Sequence, residues 1–164
     1  MSRLLLLTFL TACSTPGDTG DTVDTAAGEC VSGDTWTGGN EESPLMNPGE
    51  SCIACHQSEG EGPIYTVAGT VYTALDEPND CNGVTTAVVR VTDADGTVFD
   101  TTTNGAGNFF FEDAIVMPYT AEVEFSDGTI AAMSGEQSDG ECNACHTPGG
   151  DGGAPGRIAQ DAAQ

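Results

Sequence analysis

Lysine is absent from this 164-residue chain, and arginine occurs only at Arg3, Arg90 and Arg157, against 26 acidic residues. A surface that neutralises phosphates needs clustered cations, so nucleic-acid binding is excluded. Histidine is almost absent as well, with only His56 and His146 present. Any chemistry that needs an imidazole must use one of those two. Long apolar runs are also missing. The stretch Leu4 to Leu10 is too short to span a bilayer, which takes about 20 apolar residues in a helix. The length suits one domain, or one domain with short appendages.

What is present is concentrated around the two histidines. Each stands directly behind a Cys-x-x-Cys pair, in Cys52-Ile-Ala-Cys55-His56 and Cys142-Asn-Ala-Cys145-His146. Cys-x-x-Cys-His is the attachment signature of c-type haem. The two thiols add across the haem vinyl groups, and the adjacent imidazole is placed to bind iron from the proximal side. Two such runs use every histidine in the chain, so two covalent haems are expected, on Cys52, Cys55, Cys142 and Cys145, with His56 and His146 as iron ligands. This pairing resembles the dihaem c-type cytochromes, and the resemblance implies a single-electron carrier rather than an enzyme. Dihaem peroxidases share the two motifs, but they are much longer and nothing here resembles their extra loops. Two alternatives stay open: a zinc module with a Cys₄ site closed by the central domain, and a haem-based redox sensor.

The N-terminus resembles a bacterial lipoprotein signal, with Arg3 as a positive start, an apolar run and Leu10-Thr11-Ala12-Cys13 as the lipobox. It implies removal of residues 1–12 and lipidation of Cys13, with several acyl chains making a stable anchor. The competing reading is an ordinary secretory peptide in which Cys13 is incidental. By the sorting pattern of such lipoproteins, Ser14 favours the outer membrane, facing the periplasm or the exterior. Residues 13–29 then form a lipidated, disordered tether, since Gly, Asp, Thr and Pro offer little surface to bury. The sixteen residues after Cys13 have a root-mean-square reach of about 22 Å. The exported chain keeps two arginines against 26 acidic residues, a net charge of −24. Such a field steers toward a redox partner with a basic docking face, or reflects a salty medium that screens it.

Of seven cysteines, one belongs to the lipobox and four to the haem motifs. Cys30 and Cys81 remain, and in an exported protein they are expected to pair. Residues 30–62 show no long helical period and are expected to wrap the first haem, with Trp36 covering a haem face or filling a crevice.

Residues 63–133 alternate with period two, in the pattern of half-buried strands. Val67, Gly69 and Val71 form one such row; Thr85, Ala87, Val89 and Val91 a second; Tyr119, Ala121, Val123 and Phe125 a third. Asp95-Gly96, Asn104-Gly105 and Asp127-Gly128 mark the turns. The fold class expected is all-β: a small antiparallel, Greek-key-like β-sandwich flanked by irregular or short-helix haem segments. The run Ala68-Gly69-Thr70-Val71, Ala87-x-Val89-x-Val91-x-Asp93, Gly107-Asn108-Phe109 and Ala121-Glu122-Val123 resembles a carboxypeptidase regulatory-like domain. That resemblance covers about 65 residues and implies a transthyretin-like sandwich without catalysis. Asp93, Asp95 and Asp100 lack the EF-hand spacing, so they read as a solvated turn. Residues 134–164 hold the second haem segment and the tail.

With no histidine left over, the sixth iron ligand falls to methionine, whose thioether raises the potential of an electron-transfer haem. Met46 precedes a Pro-Gly turn before the first motif. Met133 ends the last strand before the second, and if Ile130 and Ala132 face the core it is expected to point the other way, toward wherever the second motif folds. Met117 is the weakest candidate. Open iron and a ligand from another chain, through self-association, stay available. Arg157 reads either as a haem-propionate partner or as a solvent-facing charge.

Overall fold

The computed structural model describes residues 43–60 and 62–162. The signal peptide, Cys13, the tether, Cys30 and Trp36 lie outside the described residues.

The fold is all-β with two short helices. In chain order the elements are α1 (Cys52–Glu59), β1 (Val67–Tyr72), β2 (Val88–Thr92), β3 (Val98–Thr102), β4 (Asn108–Phe111), β5 (Thr120–Glu124), β6 (Ile130–Ala132), α2 (Cys142–Cys145) and β7 (Ile158–Ala159). One sheet has the order β4-β1-β7 and the other β3-β2-β5-β6. Val67, Val71, Phe109 and Phe111 from the first pack against Val89, Val91 and Val123 from the second, making one core. Three expected turns are in place. Gly96 (φ +80°) turns β2 into β3, and Gly128 (φ +85°) turns β5 into β6. Asn104 accepts from the backbone of Ala106 and Asn108, closing the turn before β4.

Two differences from the sequence pattern matter for the site. Every residue of β1 is buried, so this strand is not half-exposed. Its Val67 and Val71 face the core, while Thr70 bonds to Gly49 and Asn143 from the segments that carry the two Cys-x-x-Cys-His runs. Second, the segment after residue 133 contributes to the sheet. Ala68 pairs with Glu141 and, further on, Val71 and Tyr72 pair in parallel with Ile158 and Ala159. The second Cys-x-x-Cys-His run is thus an excursion between two stretches that share one edge of β1. A two-residue strand has too little pattern to be read in advance, and β1–β7 is the one parallel pair among the strands described.

Candidate functional site

The first motif forms α1 after a tight turn in which Gly49 (φ +85°) donates its N–H to Thr70 Oγ1 at 2.9 Å. Ser51 stands at the N-cap but makes no side-chain bond there. The free amides of the first turn go elsewhere: Ile53 and Ala54 donate to Glu141 Oε2 at 2.7 and 3.0 Å. Gly60, in the left-handed region, ends the helix on the carbonyl of His56. The second motif makes one helical turn, α2, closed by His146 N–H on Cys142 O at 2.9 Å. It lies close on β1, because a Cβ on Gly69 would come within 2.8 Å of Cys142 Cβ. Only glycine leaves that space.

The two motifs meet. Asn143, the buried second residue of Cys-Asn-Ala-Cys, accepts from Thr70 N–H at 3.0 Å and donates to Glu50 O at 2.8 Å. Its amide also lies 3.9 Å from Cys52 Sγ. A side chain of the second motif therefore touches the first cysteine of the other motif.

Both histidines are set in the same way. His56 Nδ1 lies 2.9 Å from Pro63 O, and His146 Nδ1 lies 2.8 Å from Gly156 O. A carbonyl only accepts, so each Nδ1 carries a proton, and in the neutral ring Nε2 is then the nitrogen with the lone pair. This is the arrangement that orients a metal-binding imidazole and fixes its tautomer. Burial also holds the His146 pKa below its ordinary value, against the opposing pull of the Gly156 bond. It is neutral where a ligand must be. The His56 ring is further held by Tyr65 (centroids 4.9 Å apart), which stacks on Phe110 of β4 at 4.6 Å.

Beside the second motif an open cleft of about 440 Å³ runs along the edge of the core. Cys142, Cys145 and His146 stand at its wall, Met133 faces in with them, and Val89, Val123 and Tyr119 supply core surface. The volume and the mainly apolar lining are those of a cofactor pocket. Met133 reaches it by a parity opposite to the expected one. Ile130 is exposed and Ala131 packs on the core, so Met133 shares the inward face with Ala131. Met46 is tied through its carbonyl to Asn108 Nδ2 at 2.8 Å, and it does not line this cleft. Met117 packs against the core.

The remaining expected residues are placed as follows. Arg157 is 4 % exposed and bonds Asp80 and the Glu77 carbonyl, so its guanidinium is already engaged. Cys81 is buried and disulfide-bonded, while its expected partner Cys30 is outside the described residues. Cys55 is disulfide-bonded too, and haem attachment there requires that bond to be reduced first. Among the described residues no three Cys, His, Asp or Glu side chains converge to hold a metal ion, so the four motif cysteines do not form a ready Cys₄ zinc site.

Burial pushes the thiols of Cys52 and Cys142 up to about 12, with the Glu141 carboxylate adding to both shifts. Thiolate is the reactive form, so both sulfurs are poor nucleophiles at neutral pH. In reduced, haem-free chain, iodoacetamide should label exposed Cys145 at least about tenfold faster than Cys52 or Cys142. Their labelling should rise steeply only as pH approaches 12, which peptide mass spectrometry would follow.

Glu141, Asn143, Tyr65 and the cleft were not singled out from sequence. Glu141 and Asn143 are visible beside the second motif, but their partners lie 73 to 93 residues away. Nothing local could reveal that contact. No family model matches this chain, and neither the curated proteins nor the solved structures contain a match.

Proposed function

We propose that this chain is a lipid-anchored dihaem c-type cytochrome that carries single electrons in the periplasm or at the cell surface. The observation that carries the reading is the shared setting of the two histidines, each with Nδ1 on a backbone carbonyl and Nε2 left to bind iron. The residues present fit the group. The second motif lines an apolar cleft with Met133 available on its wall. When bound, the haem supplies one-electron exchange; the chain supplies attachment, orientation and field. Cys52, Cys55, Cys142 and Cys145 would hold the haems covalently. The sandwich, whose pattern resembles a carboxypeptidase regulatory-like domain, acts as scaffold. The net charge, −24 once residues 1–12 are removed, draws partners with a basic face.

The deciding experiment is an absorption spectrum after denaturation, on protein produced with a cytochrome c assembly system. Two covalent haems per chain are expected; a haem-free product would sink the proposal. Met133 is assigned to the second haem. Met133→Ala should lower the midpoint potential of one of the two haems and leave the other unchanged, in a redox titration followed by absorption. Two unaltered potentials would remove Met133 from the iron.

A further inference from the structure

We propose that the second motif is a structural part of the first haem site, with Glu141 and Asn143 as positioning residues that hold α1 in place. The inference rests on the dihaem reading and deepens it. An eight-residue helix is not stable alone in water. No residue of α1 is fully buried, and the Ser51 side chain gives it no cap. Its first-turn amides of Ile53 and Ala54 are instead satisfied by one oxygen of Glu141. The other oxygen, Oε1, is buried without a partner. Burying a carboxylate that way is costly, and the bonds it gains here go to α1. Asn143 adds the second tie. It accepts from Thr70 N–H on β1 while donating to Glu50 O, two residues ahead of Cys52. Side chains of the second motif thus support the backbone of the first, and docking of α2 on β1 builds the seat for the first haem.

The test uses the full chain matured with haem, carrying Glu141→Ala or Asn143→Ala. Haem should fall from two per chain toward one. Tryptic cleavage after Arg90, which separates the two motifs, should find the loss in the peptide holding Cys52 and Cys55. Adding Ser51→Asp to Glu141→Ala gives α1 a cap of its own and should restore the first haem. Equal loss from both motifs, or two haems retained in both variants, would overturn the proposal. A haem-independent readout comes from hydrogen exchange on the unmatured full chain. Glu141→Ala should speed exchange at Ile53 and Ala54 by about tenfold or more, while β2 and β5 stay protected. Unchanged exchange at those amides would also overturn it. If the wild-type chain binds no haem covalently, the cytochrome reading fails while the exchange result still judges the clamp.

Discussion

Gly140→Ala should unseat the second motif and cost the fold about 3 kcal/mol or more. Gly140 is buried where the chain comes alongside β1, and its carbonyl accepts from Ala68 N–H at 2.9 Å. A Cβ there would overlap the carbonyl oxygen of Thr66 and lie 3.0 Å from Val67 Cα. Both obstacles are backbone of a strand fixed by β4 on its other side, so neither can yield by turning a rotamer. The chain at 140–141 must move off β1, taking the Ala68–Glu141 pairing with it. Glu141 then loses its reach to Ile53 and Ala54, and the disturbance passes to α1. A loss of this size lowers the Tm of such a domain by roughly 10 °C. Gly135→Ala is the control, since nothing lies within 4 Å of a Cβ there. It should change stability by less than about 0.5 kcal/mol. Equal Tm values for the two variants would show that residue 140 does not seat the motif.

The pattern of residues carried the sandwich but not the way the motifs sit on it. Alternation at Ala87, Val89 and Val91, and at Tyr119, Val123 and Phe125, gave the core face correctly because each of those strands has one wet side. β1 broke the rule because the segments carrying the two Cys-x-x-Cys-His runs cover its second side, a tertiary fact with no local trace. Met133 was legible as a candidate by elimination of histidine. It stands beside the second motif as expected, but Ala131 rather than Ile130 and Ala132 packs on the core, and a one-residue slip inverts every side chain of a strand. The Cys-x-x-Cys-His runs announce their chemistry in five residues each. The Nδ1 partners, Pro63 and Gly156, follow by seven and ten residues with no fixed spacing, so only the folded chain shows them.

Arg157→Ala should destabilise the chain by about 2–3 kcal/mol while leaving two haems attached. The guanidinium is the centre of a junction. It lies 4.2 Å from the ring centroid of Tyr72, donates through Nε to Glu77 O at 3.1 Å, and pairs with Asp80. The backbone amide of Arg157 reaches Leu75 O at 2.9 Å, so loop 75–80, β1 and the C-terminal segment are joined through one residue. Removing one partner of a fully buried pair typically costs 3–5 kcal/mol. Asp80 is 28 % exposed and recovers some hydration, which brings the expected loss down. Arg157→Lys should restore less than half, because an ammonium keeps the charge but loses the planar fork that serves Asp80 and Glu77 together. Chemical denaturation with haem quantified in parallel separates this role from contact with a propionate. A propionate partner would shift one midpoint potential in Arg157→Ala with little change in stability. A junction residue does the reverse, and in a chain with so few cations the fold has already placed this one against Asp80.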